Sequence, residues 1–579
     1  MEYLLFMLAM AVFVLVIFGM EAVRTRREER DFIKTLYENY DKLAEKEYAL
    51  ERFARMDSYF DRHLKAGQLD DITWNDLGMD ELFKRMNYTL SASGEEYLYY
   101  TLRTLKQSRE ELEHLEDAVR FFGDNPDVRV KVQLAARRLG YTGKFSLYNY
   151  LDNLDILGER SNTKNILADF LFLPLIGLLW INFPIGIVGI VILTIYNIVT
   201  YFREKGEIDP YITSFSYIMR LMRACEELGK IDVPVCAGEW EEMRRARKGL
   251  AGMKRNSYWV MSPYRGNASG DILAVVMDYI RMVFHVDLLK FNSMLKILRG
   301  HIEDVDALVS VMGYAETCIA VWEFRQSLSG RSAERTEEGE GGEAEGCGGR
   351  GWCVPEFVPE ERIEIREGYH PLLEAPVKNG IAAKRGVLLT GSNASGKSTF
   401  LKTVAINAIL AQTIHTCAAG AYKAQFFRVY SSMALRDDLN SGESYYIVEI
   451  KALKRILDAA SEGEPILCFV DEVLRGTNTV ERIAASTQIL KSLGHSGILC
   501  FAATHDIELT ELLKDYFDNY HFEEDVRDGD VFFNYKLKTG RATTRNAIRL
   551  LELMGYDSGV IERASAQAEY FMTSGVWKA

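Results

Sequence analysis

Residues 166–199 read "ILADFLFLPLIGLLWINFPIGIVGIVILTIYNIV" and carry one charged side chain, Asp169. So long an apolar run has to be hidden from water. Asn182 and Pro184 interrupt it in the middle, which predicts a hairpin of two short helical spans rather than one long one. A buried hairpin in a water-soluble core is the alternative, and the length of the uncharged run argues against it. A second apolar stretch, "LLFMLAMAVFVLVIFGM", runs from Leu4 to Met20. As a helix it would span about 25 Å, near the lower limit for crossing a bilayer. Its basic flank, "RTRREER" from Arg24 to Arg30, follows the run and only Glu2 precedes it. A secretory signal peptide has the opposite order, so an uncleaved anchor is expected. Arg160 and Lys164 stand before the hairpin and Arg203 and Lys205 after it. The positive-inside rule then puts the N-terminus outside, with residues 24–164 and everything after 203 cytoplasmic.

A chain of 579 residues exceeds one ordinary core, so several domains are expected. Residues 31–160 and 207–328 show apolar residues at helical spacing. "SGRSAERTEEGEGGEAEGCGGRG", Ser329 to Gly351, is rich in Gly and Glu and reads as a linker. Beyond it, residues 354–570 alternate short apolar runs with helical stretches, an α/β pattern with a largely parallel sheet. The net charge of -14 excludes a uniformly basic surface for nonspecific nucleic-acid binding. One local basic cluster remains, "RRARKGLAGMKR" from Arg244 to Arg255, followed by Tyr258 and Trp259. It suits DNA, anionic lipid headgroups or a plainly solvated helix face. The eight cysteines form no C-x-x-C pair, and Cys347 and Cys353 lack a nearby histidine. Reduced thiols are expected rather than zinc or disulfides.

"LLTGSNASGKSTF", Leu388 to Phe400, fits G-x-x-x-x-G-K-[ST]. Gly391 and Gly396 let backbone N–H groups approach phosphates, and the following helix turns its positive end toward them. Lys397 would reach the β- and γ-phosphates and Ser398 would place its hydroxyl on Mg²⁺. The plain alternative is a Gly-rich strand-to-helix turn. "ILCFVDE", Ile466 to Glu472, ends an apolar strand in two acids. Asp471 could join the Mg²⁺ shell and Glu472 could activate the attacking water. "FAATH" ends a third strand in His505, placed to sense a γ-phosphate.

Order and wording resemble the ATPase domain of MutS DNA mismatch repair proteins, within the ABC-type ATPase superfamily. The resemblance rests on "DDLNSGESYYIVEI" (437–450), "VDEVLRGTNT" (470–479), "ATH", "GYHPLLE" (368–374) and the tail "NAIRLLELMGYDSGVIERASAQ". "ELFKRMNYTLSASGEEYLYYTLR", residues 81–103, is similar to the start of the MutS core helical domain. It implies an α/β P-loop NTPase domain of ABC type plus a helical MutS-core-like region, which on the apolar runs above carries transmembrane helices. The implied layout is an anchor at 1–23, helical core at 24–164, membrane hairpin at 165–202 and helical lever at 203–328. A linker at 329–352 and the ATPase domain with its helical tail at 353–579 complete it. ATP and Mg²⁺ are the implied cofactors. Gly391, Asn393, Gly396, Lys397, Ser398 and Thr399 would hold the nucleotide, and Ser398 and Asp471 the metal. Glu472 and His505 would be catalytic. Ser441, Gly442 and Ser444 look like the signature that reaches the partner's γ-phosphate in a homodimer. The structural alternative for them is a helix N-cap.

Three departures qualify the resemblance. The phosphate loop has Ser392, Ala394 and Ser395 where the family usually reads "GPNMGGKST", and Asn478 stands in "RGTNT" where "RGTST" is usual. No Phe-x-Glu wedge for mismatched DNA occurs in residues 1–80. The expected function is therefore a membrane-anchored, dimeric MutS-like ATPase acting on DNA or repair complexes. An ATP-switched membrane scaffold that binds protein partners without DNA is the competing expectation. Short spans with little polar content argue against a transport pathway.

Overall fold

The computed structural model describes residues 20, 23–24, 26–37, 45–48, 50–143, 145–254, 260, 279–337, 351–392, 395–433, 445–474, 477–495, 497–527, 530–542, 548, 551 and 555–577. The chain divides into two compact units. The first gathers Met1–Leu64, Asn87–Tyr100 and Asp117–Glu323; the second gathers Lys65–Met86, Thr101–Glu116 and Phe324–Ala579.

The first unit is helical among its described residues. The apolar block forms α1 (Thr163–Phe170), α2 (Phe172–Ile181) and α3 (Phe183–Leu228), with α4 (Ile302–Glu337) later in the chain. Asn182 makes the turn: its Oδ1 accepts from Ile185 N at 3.4 Å, and Pro184 occupies the first turn of α3, where a missing N–H costs nothing. Glycine lets the two arms close up. A Cβ on Gly186 would lie 2.9 Å from Leu179 N, and one on Gly189 2.7 Å from Leu175 Cδ2. The outer faces stay apolar and exposed, with Trp180 (91 %) and Ile181 (85 %) at the tip. At the other end, Asn197 Nδ2 donates to Asp169 Oδ1 at 3.1 Å, and the same oxygen lies 3.1 Å from His285 Nδ1.

Among the described residues, Thr163–Ile181, Phe183–Leu228 and Ile302–Ser329 are long and apolar enough to cross a membrane, by length and composition. They differ in burial: 17 % and 22 % of the most apolar window for the first two, 72 % for the third. Leu4–Met20 lies outside the described residues except for Met20, as does most of the stretch read as a linker. The helix α4 enters that stretch and ends at Glu337. Arg331, Ala333, Glu334 and Arg335 are good helix formers, so the turn continues until glycine becomes frequent. In the basic cluster, Arg247 and Lys254 pair with Glu226, while Arg244, Arg245 and Lys248 are exposed; Tyr258 and Trp259 lie outside the described residues.

The second unit is α/β. Its strands are β1 (Glu356–Phe357), β2 (Ile363–Gly368), β3 (Asn379–Ala383), β4 (Gly386–Thr390), β5 (Ala421–Ala424), β6 (Arg428–Ser432), β7 (Ile466–Asp471), β8 (Ile498–Ala503), β9 (Phe517–His521), β10 (Glu524–Arg527), β11 (Asp530–Phe533) and β12 (Lys538–Thr539). Six strands form the main sheet in the order β12-β9-β4-β8-β7-β6, parallel except for β12. Sequence runs without alternation fit this, because central parallel strands are covered on both faces. Every residue of β4 is buried. The principal helices of this unit are α5 (Lys397–Ile414), α6 (Tyr445–Ala460) and α7 (Thr479–Leu493). Leu453 and Ile456 of α6 and Leu490 and Leu493 of α7 pack in one core with Cys468, Val470, Cys500 and Ala502 of the sheet. β4 sits between β8 and β9, with α5 following it, so the chain leaves β4 at a point where connections diverge. Open α/β sheets bind ligands beyond the carboxyl ends of such strands.

Candidate active site

The loop from β4 to α5 is shaped by its glycines. Gly391 has φ 146°, and a Cβ there would meet Phe522 O at 2.6 Å; Gly396 has φ 108°. Only glycine enters these conformations without strain. Lys397 is 5 % exposed, and its Nζ donates to Gly391 O (2.9 Å) and Ser392 O (2.8 Å). The ammonium is thereby held against the carbonyls at the start of the loop. Ser398 and Thr399 are exposed on the first turn of α5, where the helix presents its positive end.

The neighbouring strands bring acids and an imidazole to the same place. β7 ends in Asp471, whose Oδ2 accepts from Ser398 Oγ at 2.5 Å. The chain then turns sharply: Glu472 has φ 56° and Leu474 φ 57°. Left-handed backbone at two non-glycine residues stores strain, of the order of 1 kcal/mol each or more. Two bonds hold the turn, Glu472 N to Ala503 O at 2.9 Å and Leu474 N to Glu449 Oε1 at 2.5 Å. The Glu472 carboxylate lies 3.0 Å from His505 Nε2, which is itself 3.4 Å from Lys397 Nζ. Gly391, Gly396, Lys397, Ser398, Thr399, Asp471, Glu472 and His505 thus stand together. Asn393, Ser441, Gly442 and Ser444 lie outside the described residues.

A cavity of about 500 Å³ opens beside the loop. Lys397 and Glu472 are charged residues of its lining, and Leu373, Val377 and Phe522 are among the apolar ones. Its size and mixed lining suit a small ligand that carries both apolar and anionic groups. His370 also lines it, and burial, with the Lys402 charge adding to the effect, lowers its pKa to about 4. Leu372 N donates to His370 Nδ1 at 3.3 Å, so the neutral ring carries its proton on Nε2.

Residues 387–572 match the sequence profile of MutS domain V. The DNA mismatch repair proteins MutS of two strains of Thermus thermophilus are each 34 % identical over 221 residues. That of Thermus caldophilus is 33 % identical over 221. The C-terminal domain is a MutS-family domain. The alignments cover 37 % of this chain and 27, 26 and 27 % of the three relatives, so the chain spans about a quarter of the length of the curated relatives it matches.

The MutS domain holds features that the motifs did not disclose. Helix Asp71–Leu77 supports β6 from outside the domain's own stretch of sequence: Asp76 Oδ2 accepts from Ser431 Oγ (2.7 Å) and Met433 N (2.8 Å). Glu524, Phe522 and Tyr535 line or border the loop from the β9–β11 region. No local pattern marks them, because each reaches the loop across more than a hundred residues of chain. His370 stood inside "GYHPLLE", which pointed to the family and not to a role.

Proposed function

We propose that this chain binds and hydrolyses ATP with Mg²⁺ as a homodimer, is anchored in a membrane by its apolar hairpin, and couples the ATP cycle to DNA or mismatch-repair complexes. The observation that carries the reading is the convergence of Lys397, Ser398, Asp471, Glu472 and His505 at the ends of adjacent parallel strands. That arrangement supports a P-loop NTPase fold of ABC type. Lys397 and the first turn of α5 would meet the phosphates. Ser398 and Asp471 present hard oxygen donors in mutual contact, which suits Mg²⁺. The ion would neutralise phosphate charge there. Glu472 would draw a proton from the attacking water, its carboxylate oriented by His505. Ser444 and its neighbours Ser441 and Gly442 would complete the site of the partner subunit, so that ATP holds the dimer closed and hydrolysis loosens it.

The exposed apolar faces of α1–α3 support the membrane reading, since water-soluble surfaces rarely leave so large a patch uncovered. Mismatch recognition has the least support, as no wedge motif stands in residues 1–80. The scaffold alternative therefore stays paired with the DNA reading. ATP turnover by the full chain in detergent tests the enzyme, with Glu472→Gln expected to bind ATP and not hydrolyse it. A wild-type protein with no turnover in either the presence or absence of DNA would overturn the enzyme reading. Salt-dependent DNA binding that changes with ATP separates the DNA reading from the scaffold.

A further inference from the structure

Glu472 and His505 come from different strands, and a second tie joins the same two segments of chain. β7 runs into Glu472 and on to α7, while β8 runs on into His505 and Asp506. The carboxylate and the imidazole meet at 3.0 Å. Arg482 of α7 grips Asp506 with a two-pronged fork, Nε to Oδ2 at 2.9 Å and Nη2 to Oδ1 at 2.6 Å. The two side chains are 26 % and 13 % exposed, so water screens this pair less than it screens a surface one. A bidentate pair fixes direction as well as distance. Each partner is also held at its own backbone. Arg482 N donates to Asn478 O at 2.9 Å, and Asp506 N donates to Thr504 Oγ1 at 3.0 Å. Thr504 N in turn donates to Leu389 O of β4 at 3.0 Å. The chain from Glu472 to Arg482, the fork, and the step from Asp506 back to His505 therefore close a ring through the Glu472–His505 contact.

His505 is exposed, so its ring takes its place from the backbone that carries it. β8 holds that backbone on one side of His505, and Asp506 holds it on the other. We propose that Arg482 is a positioning residue: through its fork on Asp506 it fixes the backbone at His505 and so aims the imidazole that orients the Glu472 carboxylate. The inference rests on the ATPase reading above, in which Glu472 takes a proton from the attacking water. It does not require Arg482 to touch the nucleotide, so losing the fork lowers turnover and spares ATP affinity. The guanidinium has a second route to the same group. The Asp506 hydrogen bonds first, then the Asp506, Glu472 and Glu508 charges, raise its pKa above the ordinary value. Its charge thus also reaches Glu472 directly, and the two routes make different predictions.

The experiment is single-turnover ATP hydrolysis by the full chain in detergent with Mg²⁺, protein in excess, so that slow variants are resolved. The limiting rate reports the chemical step, and its dependence on protein concentration reports ATP affinity. Arg482→Lys keeps the charge and loses the fork. Asp506→Ala keeps the guanidinium and removes its partner. Each is expected to lower the limiting rate about tenfold or more and to move ATP affinity less than about twofold, since a misplacement of about 1 Å can cost about 100-fold in rate. Added to His505→Ala, each is expected to lower the rate no further. A wild-type rate in Arg482→Lys or in Asp506→Ala would overturn the proposal. So would ATP affinity that falls in step with the rate. A full further loss in the His505→Ala background would also overturn it, as it would mark a weakened fold or an effect on Glu472 that bypasses His505. The two single variants lie on different elements, so if one fails to fold the other still decides. A wild-type protein without ATP turnover would instead sink the ATPase reading itself.

Discussion

The two ends of α5 are built on opposite principles. At its start, Gly396 has no side chain to cap the helix, Ser398 and Thr399 are exposed, and Lys397 lies among loop carbonyls. At its end, His415 turns the chain with φ 53° and its carbonyl accepts from Arg325 Nη2 at 3.1 Å. Arg325 also grips Glu116 with a two-pronged fork, 3.1 and 2.6 Å, donates through Nε to Thr416 Oγ1 at 2.9 Å, and lies 4.4 Å over the Trp352 ring. Both charged side chains are almost fully buried, 3 % and 6 % exposed. The guanidinium therefore meets the negative end of the helix dipole from inside the protein, whereas the positive end faces an open cavity. One end has its charges matched internally. The other faces the cavity in which the proposed nucleotide would bind. The middle, buried from Phe400 to Ile414 apart from Lys402, holds the two at a fixed distance.

The largest effect expected from this contrast is at the buried end. Arg325→Leu removes the guanidinium that pairs with Glu116, and Glu116→Gln removes the charge that pairs with Arg325; each should cost about 3–5 kcal/mol of stability, the usual penalty for breaking a buried pair from one side. Chemical denaturation of the full chain measures it. Changing both partners together should cost less than the two single costs added. A single variant that unfolds like wild type but loses nucleotide would erase the distinction between the ends. Lys397→Ala probes the other end. It should weaken ATP binding about 100-fold, roughly 2.7 kcal/mol, while the unliganded protein unfolds close to wild type. A collapse in stability of that variant would make Lys397 a folding residue after all.

Third in size is a pH effect at the cavity wall. His370 has a folded pKa of about 4, below its ordinary 6.5, because burial and the Lys402 charge disfavour the imidazolium. Between those values the unfolded chain holds the extra proton and the folded chain does not, so stability falls as pH drops from about 6.5 toward 4. The loss approaches 2–3 kcal/mol near pH 4 at 1.36 kcal/mol per unit. Denaturation at pH 7 and pH 4.5 should show it, and His370→Gln should flatten that part of the profile. An unchanged profile in the variant would place His370 in water.

Parts of this architecture were legible in sequence for a physical reason. β4, β7 and β8 are covered on both faces, so each appears as an unbroken apolar run, and the glycine spacing of the loop follows from backbone that only glycine adopts. Burial of a helix is different. The Ile302–Ser329 helix and the hairpin arms all pass as membrane spans by composition, but only the former is mostly covered, and what covers it is far away in sequence. The same distance hides the pairs that brace the two ends of α5. Glu116 and Arg325 are 209 residues apart and Ser392 and Glu524 are 132 apart. No local period or motif encodes such a meeting. The continuation of α4 to Glu337 was hidden otherwise: a window rich in Gly and Glu averages over an initial segment that still favours helix.

The smallest predicted effect sharpens the contrast by using a second helix start near the same loop. α7 begins at Asn478, whose Oδ1 accepts from Glu481 N at 3.0 Å, so this helix caps itself. Here the family pattern has serine, which caps about equally well. Asn478→Ser should therefore leave stability within a few tenths of a kcal/mol, and Asn478→Ala should cost about 1 kcal/mol. Neither should alter ATP affinity by more than about twofold, since a capped helix end has already spent its first N–H groups on its own side chain. If Asn478→Ala instead weakens ATP binding as strongly as it weakens folding, the α7 start belongs with the α5 start as a ligand-facing end. The division between internally matched and ligand-matched termini would then have to be drawn by distance from the phosphate loop, not by whether the helix carries its own cap.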